Sequence, residues 1–366
     1  MSSSVTTAGQ LARVRQWMEA RHVEAVYVTN PVSIAYLTGF HANPHERLMA
    51  LAVRARDATL IVPSLEQEKA TRDAHDVAVV GWRDGEDPYG LVSESLGRST
   101  EIGVEKEHLT LHAAEVVTTR TGASELVDVG GEIRRLRSIK TDVEIEKLQR
   151  AAAITDEAFV KVLARIHPGL NELDVALLFG TAISELGATL SFDTLVQSGP
   201  NSAMPHLEPS NRKLSPGDYV LLDFGAAHDG YKGDSTRMAV IGEPSARHRE
   251  IHGLVLRAHD AAIAAVRPGV TTGEIDAAAR RVIEEAGHGE HFFHRIGHGL
   301  GLEAHEDPSL EPGSRTVLEA GMVFTVEPGV YVSGFGGVRI EDDVVVEKDG
   351  CRVLTKADRS LHVIPV

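Results

Sequence analysis

The amino-acid sequence predicts a two-domain protein, with a small α/β domain over residues 1–130 and a larger domain of helices and strands over residues 131–366. Short apolar strands alternate with helical segments through the first third of the chain, which is the pattern of an α/β layer structure. A helix–turn–helix unit occurs twice in the remainder, at an offset of 100 residues. Two further stretches, 219–240 and 322–346, have the apolar strands and turn residues of β-hairpins.

Composition excludes several classes of function. The chain has 53 acidic and 37 basic residues and a net charge of −16, which disfavours general binding to nucleic acid or to anionic membranes. Its one cysteine, Cys351, rules out an intramolecular disulfide and fits a reducing compartment. No apolar run reaches transmembrane length, and residues 1–17 lack the apolar core of a signal peptide. We therefore expect a soluble cytoplasmic protein.

The first domain is predicted from short periodic segments separated by turn residues. Strands are rich in β-branched and aromatic residues, whereas the helices show apolar positions three and four residues apart. The predicted strands cover 25–29, 48–53, 59–62, 77–80, 102–104 and 126–127, and the predicted helices cover 8–21, 33–38, 65–72 and 113–119. Gly130 and Gly131 mark the expected linker to the second domain.

The second domain begins with a predicted long helix. Residues 141–144 have the form of a capping box, and an apolar stripe continues to Ile166. A second helix follows over 172–186, and its surrounding segment 167–188 is similar to segment 267–288. A chance match between two such units stays possible. The repeat nevertheless suggests two related α/β halves with a site between them.

The first hairpin carries two acidic residues. If the chain folds about the bond between His228 and Asp229, Asp223 lies directly opposite Asp234, with Cβ atoms about 5 Å apart. A β-bulge could shift this register by one residue. Burying an unpaired carboxylate in an apolar strand is costly, and cations between the two acids would offset that cost. The alternative is a solvated hairpin with two surface acids.

The second hairpin repeats the arrangement. Folding residues 322–346 about Gly334 places Glu327 opposite Glu341. Between the two hairpins, RIGHGLGLEAHE (295–306) surrounds His298 with glycines, which allow close backbone approach. A lone histidine is more often structural, but one histidine beside two acidic hairpins suggests a common cluster.

Four carboxylates and one imidazole, without a thiolate, suit manganese, cobalt, iron or zinc. Two divalent ions would be nearly balanced by the four carboxylates. Such a pair lowers the pKa of a bound water and makes hydroxide available near neutral pH, which favours hydrolysis. The expected cofactor is therefore a pair of divalent metal ions.

The motif LLDFG…GDSTR…GHGLGLEAHE…VEPGVY…RIEDD resembles that of the dinuclear metallopeptidases of the pita-bread fold, which include methionine aminopeptidase, aminopeptidase P and prolidase. The resemblance covers essentially the whole chain. It implies an α/β N-terminal domain like that of creatinase and an α+β pita-bread catalytic domain. The five metal ligands that the family leads us to expect are present in order and with similar spacing: Asp223, Asp234, His298, Glu327 and Glu341.

Within this family, the resemblance is strongest to the bacterial Xaa-Pro dipeptidases, or prolidases. Creatinase shares the fold but lacks the ligand set, and methionine aminopeptidases usually lack a whole domain like residues 1–130. The loop YLTGFHANPHER (36–47) also looks like that of prolidases. The resemblance implies manganese as the expected metal, a metal-bridged hydroxide as the nucleophile, and a homodimer.

The resemblance assigns further roles at the reaction centre. His206 matches a histidine that contacts the substrate and stabilises the tetrahedral intermediate, and His305 matches a second histidine on the substrate side. Arg339 matches an arginine that orients the carboxylate ligands by charge-assisted hydrogen bonds. Glu327 is expected to transfer a proton to the leaving nitrogen as well as to bind metal.

The chain departs from the prolidase pattern at the position that recognises the free carboxylate of a dipeptide. Many prolidases have an arginine there, four residues after the position of His305, whereas this chain has Ser309. Candidate replacements are His45 and Arg47, from this chain or a neighbouring subunit, and Tyr231 could add a hydrogen bond. The alternative for Arg47 is an ordinary surface salt bridge. Asn43 also stands where some prolidases have an acidic residue.

Three functions therefore stay open from the sequence. The first is a prolidase that cleaves Xaa-Pro dipeptides. The second is an aminopeptidase P, which releases the first residue from longer Xaa-Pro peptides, and Ser309 is compatible with it. The third is a non-catalytic binding module on the same fold.

Overall fold

The computed structural model describes residues 7–366, which divide into two compact units, Met1–Arg137 and Ser138–Val366. Residues 1–6, on which the prediction of no signal peptide partly depends, lie outside the described residues. Within residues 7–366, none of the helices combines the length and the apolar character needed to span a bilayer.

The N-terminal unit contains a six-stranded sheet in the order β4-β3-β2-β1-β5-β6. Strand β2 is antiparallel to both of its neighbours, and the outer pairs β3–β4, β1–β5 and β5–β6 are parallel. The strands are β1 Ala25–Val28, β2 Ala50–Arg54, β3 Ala58–Pro63, β4 Ala78–Trp82, β5 Glu101–Val104 and β6 Glu125–Asp128. The helices are α1 Thr7–Arg21, α2 Pro31–Thr38, α3 Ser64–Asp73, α4 Pro88–Leu96, α5 Leu111–Thr121 and α6 Gly130–Ser138.

Two helices of this unit differ from the sequence prediction. Helix α4 was not predicted, although Asp87 caps its first turn and Pro88 occupies its first position. The expected linker at Gly130 and Gly131 is wrong, because these glycines begin helix α6. The Asp128 side chain accepts a hydrogen bond from the Gly130 backbone N–H and so satisfies a donor at the helix start.

The C-terminal unit begins with the predicted pair of helices, and a second pair follows. Capping boxes are present at the starts of all four helices, including the predicted one at Thr141 and Glu144. The helices are α7 Asp142–Leu163, α8 Glu172–Glu185, α9 Ala246–Ala265 and α10 Thr272–Glu285. Helices α8 and α10 keep the offset of the sequence repeat, and the cap residues Asn171 and Thr271 each form an isolated bridge, to Lys213 and Val317.

The strands of this unit form two principal sheets, ordered β20-β12-β9-β8 and β14-β13-β15-β18-β19. Smaller sheets are formed by β11-β10-β7 and by β16-β17. The strands of the first half and the chain end are β7 Thr189–Leu190, β8 Leu195–Ser198, β9 Tyr219–Phe224, β10 Ala226–His228, β11 Tyr231–Lys232, β12 Ser235–Ile241 and β20 His362–Ile364. Those of the second half are β13 His298–Gly299, β14 Glu306–Ser309, β15 Val323–Val326, β16 Gly329–Val332, β17 Gly336–Arg339, β18 Asp342–Glu347 and β19 Gly350–Val353.

Strand β9 has one face toward each of two hydrophobic cores. Val220, Leu222 and Phe224 pack in the core formed with helices α7 and α8. Tyr219 and Leu221 pack in the core formed with helices α9 and α10. Because side chains alternate along a strand, Asp223 belongs to the face that looks toward the second half.

The predicted register of the first hairpin is wrong. Asp223 pairs with Thr236 rather than with Asp234, a shift of two residues. The cause is the turn, whose central residues are Asp229 and Gly230, with φ values of 50° and 82°. This pair of left-handed residues is what a type I′ two-residue turn requires, and Asp-Gly is a favoured sequence for it.

The register of the second hairpin is confirmed. Strands β16 and β17 pair Gly329 with Arg339, and strands β15 and β18 pair Val326 with Asp342, both symmetric about Gly334. Between these two ladders the pairing is interrupted at residues 327–328 and 340–341. Glu327 and Glu341 therefore lie where the chain passes from one sheet to the next.

The type I′ turn gives a direct test of this register. Gly230→Ala forces a β-carbon into a left-handed conformation and should lower the stability of the C-terminal unit by about 1–2 kcal/mol. Asp229→Gly removes a non-glycine residue from the same conformation and should cause no loss. Calorimetric unfolding of both variants measures the difference. An equal loss in the two variants would contradict the turn assignment.

Candidate metal centre

The five predicted ligands line one cavity of about 360 Å³ in the C-terminal unit. The predicted residues His206, His305 and Arg339 line the same cavity. The remaining lining residues, which the sequence prediction had not assigned, are Phe192, Asp193, Leu195, Pro205, His294 and Arg295.

The ligand side chains come from strand ends on both halves of the unit. Asp223 lies in β9 and Asp234 directly precedes β12, whereas His298 begins β13. Glu327 follows β15, and Glu341 lies between β17 and β18. Ligand atoms of Asp234, His298 and Glu341 all lie within 4.8 Å of one another. His298 Nε2 is 3.3 Å from Glu327 Oε1, so Glu327 adjoins the same group.

The glycines beside His298 permit this approach. A β-carbon at Gly297 would collide with the carbonyl oxygen of Thr325, and one at Gly299 would collide with that of Asp307. Only glycine lets the histidine segment lie this close to its neighbouring strands.

The donor set fits divalent cations. Asp223 and Asp234 are both buried, and each has an Oδ1 atom without a hydrogen-bond partner. A buried carboxylate oxygen without a donor is costly, and a cation would satisfy it. Carboxylate and imidazole ligands without sulfur suit a hard or borderline divalent ion.

The electrostatics of the carboxylates support the same conclusion. Burial raises the pKa of Glu327 to about 7, and the nearby Asp223 contributes in the same direction. Burial followed by neighbouring carboxylates raises the pKa values of Asp234 and Glu341 well above the ordinary range. Like charges held together in a low dielectric repel strongly, and bound cations remove that repulsion.

His298 is held in the neutral form that a metal ligand needs. Burial and the adjacent His305 lower the pKa of His298 to about 3. Its Nδ1 lies 3.2 Å from the carbonyl oxygen of Gly299, which leaves Nε2 directed at the carboxylates. A hydrogen bond at one ring nitrogen selects the tautomer that exposes the other.

Arg339 lies against the carboxylate cluster. Its Nη2 donates to Asp223 Oδ2 at 2.5 Å, and its Nε lies 3.9 Å from Glu327 Oε2 and 4.0 Å from Glu341 Oε2. The guanidinium is therefore placed to orient Asp223 by a hydrogen bond and to offset part of the charge of Glu327 and Glu341.

Two threonines that the sequence prediction missed also donate hydrogen bonds to predicted ligands. Thr236 donates to Glu341 Oε2 at 2.5 Å and accepts from Arg339 Nε at 3.0 Å. Thr325 donates to Glu327 Oε1 at 3.2 Å and accepts from the His298 backbone N–H at 3.1 Å. Each lies within two residues of a ligand in the sequence, and this proximity was the available signal.

A chain of hydrogen bonds connects Arg339 to the cavity wall. Arg339 Nη1 donates to Tyr331 Oη at 3.2 Å, and Tyr331 Oη lies 3.0 Å from His294 Nε2. His294 Nδ1 lies 2.7 Å from the backbone carbonyl of Arg295. Burial lowers the pKa of His294 to about 4, so the ring is neutral, with Nδ1–H donating and Nε2 accepting.

The other three residues that were predicted to bind substrate have their contacts outside this cavity. Tyr231 Oη donates to Glu144 Oε1 at 2.9 Å. His45 and Arg47 line a cavity of about 520 Å³ in the N-terminal unit. Arg47 makes two hydrogen bonds to Asp84, at 3.0 and 2.9 Å, and one to Glu46 at 2.8 Å. Substrate binding by these three residues stays a prediction.

Comparison with known proteins places the chain among peptidases. Residues 146–348 match metallopeptidase family M24, and residues 10–139 match the creatinase/prolidase N-terminal domain. A Xaa-Pro dipeptidase of Lactobacillus helveticus is 40% identical over 365 residues, which cover 97% of this chain and 99% of the relative.

Solved structures agree with this relationship. A Xaa-Pro dipeptidase from Bacillus anthracis has a TM-score of 0.92 and 36% identity, covering 98% of this chain and 100% of that one. An X-Pro aminopeptidase from Thermotoga maritima has a TM-score of 0.87 and 32% identity, with 94% and 98% coverage. The predicted fold, an α/β N-terminal domain with a pita-bread catalytic domain, is confirmed. The chain belongs to metallopeptidase family M24 and carries the creatinase/prolidase N-terminal domain.

Proposed function

We propose that this chain is a prolidase, which hydrolyses Xaa-Pro dipeptides. The observation that carries the proposal is the cluster of four carboxylates, three of them buried and Glu327 partly buried, with one neutral histidine, in a chain similar over nearly its full length to Xaa-Pro dipeptidases. Both the chemistry of the cavity and the relatives support the same reaction.

The five clustered residues would hold two divalent metal ions, with manganese as the expected metal and cobalt, zinc or iron as alternatives. Such ions supply a nucleophile by lowering the pKa of coordinated water, and they polarise the scissile carbonyl group. Asp223, Asp234, His298, Glu327 and Glu341 are the proposed ligands.

The chain's own residues would handle the protons and the developing charge. Glu327, one of the proposed ligands, is also proposed to accept a proton from the nucleophile and to return it to the leaving nitrogen. His206 lines the cavity and is proposed to donate a hydrogen bond to the developing oxyanion. His305, whose ring centre is 4.1 Å from that of His298, is the proposed second contact to the substrate.

One wall of the cavity suits a proline ring. Phe192, Leu195 and Pro205 present apolar surface beside the ligand cluster. The nitrogen of an Xaa-Pro bond carries no N–H, so this wall need not supply an acceptor for it. An apolar wall next to a polar reaction centre is therefore compatible with proline after the cleaved bond.

The second candidate is an aminopeptidase P, and the similarity to the Thermotoga maritima X-Pro aminopeptidase favours it specifically. A non-catalytic binding module is disfavoured by the complete ligand set. The homodimer and the cytoplasmic location stay predictions.

Substrate length separates the first two candidates. Manganese-loaded protein should hydrolyse Ala-Pro efficiently, and kcat/KM for Ala-Pro-Ala should be lower by at least about 10-fold, because the free carboxylate then lies one residue farther from the cleaved bond. Chromatographic detection of released alanine measures both rates. Preferential cleavage of the tripeptide would indicate an aminopeptidase P instead.

Removal of one ligand tests the metal cluster. Asp234→Asn should reduce hydrolysis of Ala-Pro by more than about 100-fold and lower the bound metal content, because a charged ligand is replaced by a neutral one. Asp229→Asn, on the exposed turn of the same hairpin, is the matched control and should retain metal and activity. Full activity in Asp234→Asn would contradict the assignment. Metal analysis and a Tm measurement accompany the assay.

Metal removal should make stability depend on pH. In the metal-free protein the pKa of Glu327 is raised from 4.5 to about 7, so its stabilising contribution is complete below about pH 4.5 and is lost as pH rises through 7. The increase in Tm on adding Mn²⁺ should therefore be larger at pH 8 than at pH 5, by about 5 °C. An equal increase at both pH values would oppose this electrostatic description.

A further inference from the structure

Arg295 is a cation on the cavity wall that the proposed reaction has not used. Its side chain is half-buried and lines the cavity together with the ligand cluster. Nη1 donates to Ser309 Oγ at 3.0 Å. Among the described residues 7–366, no carboxylate lies within 4.0 Å of this guanidinium. Its charge acts on Glu327 of the cluster without a direct ion pair, so the guanidinium keeps donors that can receive an anionic group.

The pairing of strands β13 and β14 holds the segments of Arg295 and Ser309 together. Strands β13 and β14 pair His298 with Ser309, so the serine hydroxyl lies across from a proposed metal ligand. Arg295 precedes His298 by three residues, and the hydrogen bond to Ser309 joins the two segments. Arg295 and His305 line the same cavity, and the charge of Arg295 contributes to the lowered pKa of His305 after the larger effect of burial.

The backbone of Arg295 is held as well as its side chain. The His294 ring donates to the Arg295 carbonyl and accepts from Tyr331, which in turn accepts from Arg339. An arginine whose backbone carbonyl and side chain are both hydrogen-bonded loses less conformational freedom on binding than one on a mobile loop.

We propose that Arg295, oriented by Ser309, binds the free carboxylate of the dipeptide substrate. This inference rests on the proposed prolidase function and specifies how that function selects dipeptides. Arginine presents a planar fork of donors that matches a carboxylate. In this chain the cation therefore comes from the segment before His298, while the position four residues after His305 supplies the hydroxyl that holds it.

Arg339 and Arg47 already have hydrogen-bond partners. Arg339 is buried and donates to Asp223, Thr236 and Tyr331. Arg47 is paired with Asp84 and Glu46. Arg295 is the candidate that lines the cavity and keeps donors available.

The test compares Ala-Pro with alanyl-prolinamide, which lacks the negative charge. In wild-type protein kcat/KM should favour Ala-Pro, and Arg295→Gln should raise KM for Ala-Pro by about 10- to 100-fold. The same variant should leave KM for the amide within about 2-fold, because the amide has no carboxylate to lose. Arg295→Lys should recover part of the preference, since it keeps the charge without the fork.

Ser309 is a positioning residue in this proposal. Ser309→Ala should raise KM for Ala-Pro several-fold with kcat retained, and Ser309→Thr, which keeps the hydroxyl, should recover the wild-type value. Arg267→Gln, an exposed charge removal away from the cavity, is the matched control and should change neither substrate. The Ser309 variants also keep the test decisive if Arg295→Gln fails to fold.

Binding provides a readout independent of turnover. Calorimetric titration of wild-type protein should detect L-proline more tightly than L-prolinamide, and Arg295→Gln should remove the difference. If wild-type protein cleaves neither substrate, the proposed function fails, and this titration still decides the role of Arg295. Equal losses for the acid and the amide in Arg295→Gln would overturn the inference. A carboxylate-specific effect in Arg47→Gln alone would also overturn it.

Discussion

The architecture of the site depends on holding four carboxylates close together around one largely buried cavity. Burial and mutual repulsion both disfavour the ionised forms, as the raised pKa values of Asp234, Glu327 and Glu341 show. Each carboxylate lies at or near a strand end, and the rigid sheets hold the acids together despite their repulsion. Bound cations would relieve this repulsion, so the clustering of the acids itself favours the binding of divalent ions.

The surrounding residues orient the ligands while adding little positive charge. Thr236 and Thr325 are neutral donors that each fix one carboxylate oxygen. Arg339 is the cation that contacts the cluster directly, and it shares its donors among Asp223, Thr236 and Tyr331. If more arginines neutralised the acids, they would compete with the metal ions for the same oxygens. Hydroxyl groups therefore position the ligands without replacing the cations.

The sequence predicted most of the fold and the five residues that cluster in the cavity, because both depend on local patterns and on a specific motif. The register of the first hairpin was missed because it depends on which two residues take positive φ: Asp229 and Gly230, one position beyond the predicted centre. Tyr331 was missed because its contacts, to Arg339 and His294, join segments that are apart in the sequence. Arg295 stands in the motif that surrounds His298, and its proposed role depends on a strand pairing that no local pattern reveals.

The charge left over in the cavity explains how substrate length could be selected. Two divalent ions would balance the four carboxylates, which leaves Arg295 and Arg339 as the remaining cations of the cavity lining against one further acid, Asp193. A dipeptide places its carboxylate on the residue that follows the cleaved bond, next to the reaction centre. Each added residue can move that carboxylate away by up to about 3.5 Å, beyond the reach of a guanidinium held at both its backbone and its side chain. The restraint on Arg295, rather than its charge alone, would therefore set the length of peptide that binds well.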